Sequence, residues 1–295
     1  MSDKAQRICD YEGSTYRTDF WEGQGRNYED LVERQVLRQL LPAQGKRLLE
    51  IGAGFGRITE EYGNYEHVVL LDYSFSQLQY ARERLGDDGY TYVAADAYQL
   101  PFKAGVFDGA TMIRVIHHFE NVPKVLSGIR HVLANEACFI LEHANKRNLK
   151  ALLRHRIGKQ AWNPNTLDSV EFVELNFNFH PDYIERELKT AEFEMQERIP
   201  VSFFRLGLLK RTIPVGVLVG LDTMLQKTGW LIAPSIFTKN QAIGSGADNL
   251  IVESDDIFAC PQTGGELHRE GNHFINATGT RWEIRDGIYD FKDPV

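Results

Sequence analysis

Three glycines on alternate residues, Gly52, Gly54 and Gly56, follow the apolar run Leu48-Leu49-Glu50-Ile51. Glycine admits backbone angles closed to other residues and lets the main chain approach a ligand without a Cβ in the way. A dinucleotide fingerprint is G-x-G-x-x-G, its third glycine opening the helix that receives a pyrophosphate, but here that position is Arg57. The pattern is instead E-x-G-x-G-x-G. Glu50 would repel a pyrophosphate and suits a nucleotide-bearing ligand that carries an ammonium group. Asp72 lies twenty positions beyond Gly52, the distance at which a carboxylate on the next strand can accept the ribose hydroxyls. Asp96-Ala97 offers a further carboxylate for an adenine amino group, and His117-His118 offer an imidazole able to remove a proton near pH 7. The structural alternatives are plain. A tight turn explains one or two glycines, an N-cap before Ser74 and Ser76 explains Asp72, loop aspartates are common, and a histidine is more often structural than catalytic.

The elements that must position these groups alternate strand and helix, as in a mostly parallel sheet covered on both faces. Expected strands are Leu48–Ile51, His67–Asp72, Tyr90–Ala94, Phe107–Ile113, Ala137–Glu142, Phe193–Val201 and Pro234–Lys239, with helices over Asn27–Leu41, Val122–Leu133 and Pro181–Thr190. S-adenosylmethionine (SAM) is a ligand with an ammonium group and no phosphate, and from about Lys46 to Asn145 the chain resembles a class I SAM-dependent methyltransferase. The likeness is to the broad group that includes quinone-biosynthesis enzymes. The resemblance implies a Rossmann-like, seven-stranded, mostly parallel α/β sheet whose last two strands form an antiparallel edge. The expected cofactor contacts are Glu50, Gly52, Gly54, Gly56, Asp72, Tyr73, Asp96, Ala97 and Arg114, with His117 or His118 as the base. A nicotinamide-dependent reductase is disfavoured by Glu50, by Arg57 and by the lack of a Tyr-x-x-x-Lys pair.

At 295 residues and 43% apolar content the chain can bury a large core. Its start has no apolar run, no stretch of ~20 uncharged apolar residues occurs, and its three cysteines are too few for a disulfide framework. A cytoplasmic enzyme is expected. Tyr11, Tyr16, Phe20 and Trp21 are placed either to close over the site or to pack in the core.

Two insertions bear on the acceptor. Residues 144–180 carry Lys146, Arg147, Lys150, Arg154, Arg156 and Lys159 with no acid between Ala144 and Leu167. This is a solvated face, or a surface for an anion, RNA or a membrane. Residues 203–232 are rich in Leu, Val and Ile, and read as two amphipathic helices broken near Pro214. They are expected to form a hydrophobic substrate lid or a peripheral membrane surface, the alternative being a helix pair packed on the sheet.

A turn-rich linker, 242–247, divides the expected methyltransferase domain, 1–241, from a tail, 248–295, with ten acids against four bases. Ile257-Phe258-Ala259-Cys260-Pro261, Gly264-Gly265-Glu266-Leu267 and Trp282–Ile288 resemble a small zinc-ribbon-like family. That family includes the activator subunit of tRNA, ribosomal RNA and release-factor methyltransferases. Its other cysteine positions fall at Thr263, Ile275 and Thr278, so no metal is expected. The tail must then be held by Phe258, Leu267, Phe274, Trp282, Ile284, Ile288 and Tyr289 and by docking. It reads as a β-rich activator fused in cis, which makes a separate activator unnecessary, or as a stabilising appendix. The expected function is methylation of a small, lipophilic molecule. The alternatives are an RNA-modifying methyltransferase, against which the acidity counts, and a non-catalytic SAM-binding scaffold.

Overall fold

A computed structural model describes residues 7–14, 21, 25–253 and 256–295. Its central strands are β1 (Gly45–Ile51), β2 (Tyr65–Asp72), β3 (Tyr90–Ala94), β4 (Phe107–Met112) and β5 (Leu133–Ala144). They pair parallel in the order β3-β2-β1-β4-β5. Strands β6 (Val170–Val173) and β7 (Asn176–Asn178) form a separate hairpin, and beyond β5 lie β9 (Ser235–Ala242) and then β8 (Phe193–Val201), β9 running antiparallel to both its neighbours. The expected seven-stranded α/β sheet is therefore present.

Alternation along the strands divides the core between the two faces. Leu49, Ile51, Val69 and Leu71 face the helices Val122–Val132 and Pro181–Thr190. Leu48, Val68 and Leu70 face the helices Asn27–Leu40 and Phe75–Leu85. Ser74 caps the second of these through a hydrogen bond from the Gln77 amide, so the capping role foreseen beside Asp72 falls to Ser74.

The tail does not build a core of its own. Strands β10 (Leu267–Glu270), β11 (His273–Asn276), β12 (Arg281–Arg285) and β13 (Ile288–Asp290) form an antiparallel meander, and β13 pairs parallel with β3. Among the described residues the sheet thereby reaches eleven strands, which covers an edge that would otherwise be open to unwanted pairing. Phe258 packs against Phe274, Tyr289 and Phe291 on one side and stacks on Phe102 at 5.8 Å on the other. These rings join the same apolar cluster as Phe107 and Val106. The expected linker begins inside the sheet, since Ala242 ends β9, and Gly246 exchanges two 2.9 Å hydrogen bonds with Asn135.

Around Cys260 the tail forms a hydrogen-bonded knot. Asn276 Oδ1 accepts from the Thr278 amide and hydroxyl and the Thr280 amide at 2.8–3.0 Å, and its Nδ2 lies 3.6 Å from Cys260 Sγ.

Candidate functional site

The strand order reverses between β1 and β4, so their carboxyl ends part and leave a crevice. One cavity fills it. Its lining comes from the turn after β1 (Gly52, Gly54), from the end of β2 and the residue after it (Leu71, Asp72, Tyr73), from the segment after β3 (Asp96, Ala97, Tyr98) and from the segment after β4 (Arg114, Val115, His118). Gly52 has φ +71°, and a Cβ there would meet Val115 at 2.2 Å. Gly54 has φ +53° with nothing within 4 Å of a would-be Cβ, so its absent side chain keeps the wall open. Gly56 stands back from the lining.

Asp72 is held by the Gly54 amide at 2.7 Å on Oδ2 and the Ser74 amide at 2.9 Å on Oδ1. Each oxygen keeps a lone pair for a ligand hydroxyl. Burial raises its pKa, with the two amides pulling the other way. Asp96 Oδ1 accepts from the Tyr98 amide at 2.9 Å, and burial raises its pKa too. Two carboxylates on adjacent strand ends, with the glycine wall beside them on the next strand, fit the ribose, adenine and amino-acid portions of SAM.

Glu50 is set apart from them. It lines an adjoining recess with Trp21, Phe55, Arg57 and Arg114, and it is buried beneath the glycine turn with Thr59 donating to its Oε2 at 2.6 Å. Burial lifts its pKa to about 7, against the pull of Thr59 and Arg57. Arg57 meets no phosphate position: it pairs with Asp30 and Glu33 of the helix Asn27–Leu40, and Trp21 stacks over its guanidinium with the ring centroid 3.7 Å away. Arg114 adopts φ +61°, rare for a residue with a side chain. Its amide donates to Glu142, and its guanidinium closes on Glu33 Oε1 through both Nε and Nη2. Burial opposes ionisation of Glu33, yet Arg114 and Arg57 hold its pKa down at about 2. Glu33 carries no sequence signal beyond its place on an amphipathic helix.

The described N-terminal residues lie across the cofactor cavity. Ile8, Cys9 and Tyr11 line it, and Glu12 accepts hydrogen bonds from Ser74 and Ser76. Tyr11 and Trp21 thus border the two spaces, while Tyr16 and Phe20 lie outside the described residues.

Beyond Arg114 a third cavity opens, lined by His117, Glu142, Asn145, Asn148, Phe172, Asn176, Asn178, Arg205 and Ser235. The two histidines therefore face different spaces. His118 borders the cofactor cavity, with Nδ1 donating to the Leu175 carbonyl at 2.8 Å and Nε2 3.4 Å from Tyr11 Oη. His117 faces the third cavity, and its buried Nδ1 has no partner among the described residues. Burial, then the charges of His118, Arg114 and Arg205, push its pKa well below 6.5, so it is neutral.

Both insertions border this third cavity, but not as sequence alone implied. Lys146 is buried, its ammonium donating to Thr166 and to the Asp168 carbonyl, so it leaves the basic surface. The helices Gly207–Thr212 and Val215–Gln226 do break at Pro214, but Leu218 packs inward while Leu208, Val217, Leu221 and Met224 point to solvent. Arg205 alone represents 203–232 in the cavity lining.

Residues 49–141 match a family model described as a methyltransferase domain. The ubiquinone/menaquinone biosynthesis C-methyltransferase of Vibrio campbellii is 29% identical over 168 residues, 51% of this chain and 65% of that protein. An O-methyltransferase of Penicillium expansum is 31% identical over 137 residues, 43% of this chain and 50% of that protein. The chain thus spans less than two-thirds of the length of either relative. Among solved structures, a SAM-dependent methyltransferase from Thermotoga maritima superposes with a TM-score of 0.57 at 16% identity, covering 79% of this chain and 98% of that one. A Haloferax volcanii complex of a methyltransferase with its activator gives 0.54 at 13% identity, covering 76% and 95%. Glycine turn, paired carboxylates, strand order and sequence likeness agree: over residues 49–141 the chain is similar to a methyltransferase domain, and its sheet has the fold of SAM-dependent methyltransferases.

Proposed function

We propose that this protein transfers the methyl group of SAM to a small-molecule acceptor. The observation that carries the reading is the arrangement of three spaces that share Arg114 in their lining, with Asp72 and Asp96 in one and His117 in another. SAM supplies a sulfonium-bound methyl that is already a good electrophile. The chain's own contribution is to hold donor and acceptor in line and to exclude water. His117, neutral and with an unpartnered Nδ1, takes the acceptor's proton where one must leave. His118 is a positioning residue whose ring nitrogens engage Leu175 and Tyr11. The polar lining of the third cavity favours an acceptor that is polar at its reacting end. Calorimetry tests the cofactor: SAM and S-adenosylhomocysteine should bind and NADH should not. Asp72→Ala should weaken binding by at least 10-fold; unchanged affinity in that variant would end the reading.

The tail fits a built-in activator. β13 is bonded along β3, whose end carries Asp96, and Lys292 lies 5.2 Å from the ring centre of Tyr73 in the cavity wall. The exposed helix Leu149–Arg156 interleaves Leu149, Leu153 and the following Ile157 with Lys150, Arg154 and Arg156. Exposed aliphatic side chains among bases suit the headgroup region of an anionic membrane better than the stacked bases of RNA.

A further inference from the structure

We propose that the third cavity binds a carboxylate of the methyl acceptor, with Arg205 as the residue that recognises it. The substrate class is thus a small molecule bearing a carboxylate, a reading that rests on the methyl-transfer function proposed above.

A rigid support holds Arg205 in place. It follows β8 on the turn Ser202-Phe203-Phe204, and that turn is tied to the interior. Asp222, fully buried on the helix Val215–Gln226, accepts from the Ser202 amide at 3.3 Å and the Phe203 amide at 2.8 Å. Tyr28 donates its hydroxyl to the same carboxylate and accepts from the Phe204 amide at 3.1 Å. The residue next in line is therefore presented by a rigid support, the condition under which a binding group keeps its geometry.

The guanidinium itself is unmet. Its Nε and Nη2 have no contact with solvent and no hydrogen-bond partner among the described residues. A buried donor left unsatisfied is costly, and a buried cation without a counter-ion more so. The acids that face it are Glu33, Glu142 and Glu29, and none is within pairing distance. Glu33 is closed on Arg114 and Arg57. Glu142 accepts from the Arg114 amide and the Ser235 hydroxyl. Glu29 is bound by Lys210 at 2.8 Å, although its second oxygen lacks a donor. Arg114 adds a second positive charge to the same wall.

The geometry names the missing partner. Nε–H and Nη2–H form the side edge of the guanidinium, two parallel donors whose spacing matches the two oxygens of one carboxylate. Arg114 shows the edge engaged, its Nε and Nη2 both on Glu33. In Arg205 that edge is open, beside a cavity shared with the unpartnered Nδ1 of His117. A ligand whose carboxylate closes on Arg205 while a hydroxyl or amine donates to His117 satisfies every buried polar atom that the cavity leaves over. It also relieves the crowding of positive charge around His117 and so makes that imidazole a better base once the acceptor is bound.

The experiment uses the full chain with saturating S-adenosylhomocysteine and ligand-observed fluorine NMR. The probes are 4-fluorobenzoate and its neutral isostere 4-fluorobenzamide, with acetate as a competitor. The expected result is that the benzoate binds at least 10-fold more tightly than the benzamide and is displaced by acetate. Arg205→Gln should abolish that preference, costing the benzoate about 10- to 100-fold, while Arg205→Lys keeps part of it. The affinity for S-adenosylhomocysteine should stay within about 2-fold in all variants, so failure of the cofactor reading shows separately from failure of this one. A thermal readout separates recognition from a structural role. Because the unpaired cation opposes folding, Arg205→Met should raise the melting temperature of the ligand-free protein, and 4-fluorobenzoate should raise that of the wild type and leave that of Arg205→Met unchanged. Equal binding of the two probes, no binding of either, benzoate binding retained in Arg205→Gln, or a lowered melting temperature in Arg205→Met would each overturn the assignment.

Discussion

Glu50 offers a quantitative test of how the glycine turn is built. The carboxyl is buried, accepts one hydrogen bond from Thr59, and its pKa rises from 4.5 to about 7. A carboxyl whose folded pKa lies above its unfolded value binds more protons when folded. Its contribution therefore falls as pH rises from about 4.5 to about 7 and levels off above that. The full span corresponds to about 3 kcal/mol, of which about 1 kcal/mol falls between pH 6 and pH 8. Glu50→Gln keeps the shape and one acceptor for Thr59 but cannot ionise. Urea unfolding of both proteins without ligand at pH 5, 6, 7 and 8 isolates the group, because other titrations cancel in the difference. The variant should gain on the wild type steadily toward pH 8 and then gain no more. An incoming ammonium favours the ionised form, so saturating SAM should flatten the difference, and SAM affinity should rise with pH in the wild type alone. A difference that is independent of pH, or that favours the wild type at high pH, would refute the placement of Glu50 beneath the turn.

The two histidines should separate in kinetics once an acceptor is in hand. His117→Gln should lower kcat by 10²-fold or more with little change in SAM affinity. His118→Gln should act mainly on SAM affinity, as measured by calorimetry. In the tail, Asn276→Ala removes three accepted hydrogen bonds and should cost about 2 kcal/mol in chemical denaturation, with no rescue by zinc. Sedimentation with vesicles containing phosphatidylserine should recover the wild type at low salt and lose the double variant Leu153→Glu, Ile157→Glu, while vesicles of phosphatidylcholine alone should recover neither.

Much of the cofactor side was legible in the chain, because it rests on local chemistry. Glycines at positive φ, an acid at the end of each of two buried strands, and unbroken apolar runs are constraints that a few adjacent residues carry by themselves. They give the strand boundaries to within a few residues, the parallel order by family likeness, and the group around Gly52, Gly54, Asp72 and Asp96. The acceptor side was not legible in that way. Whether His117 or His118 faces the third cavity depends on one turn of backbone after β4, and adjacent side chains look alike until that turn is built. Lys146 and Arg205 carry the same charge in the sequence, but Lys146 is satisfied by the Thr166 and Asp168 carbonyls, whereas Arg205 is delivered to a cavity by a support formed from Tyr28 and Asp222, 194 positions apart. The tail could be read as a small β-rich unit without its metal. That it leans on β3 and shares the aromatic core of the larger sheet follows from pairing between distant strands, which only the folded chain brings together.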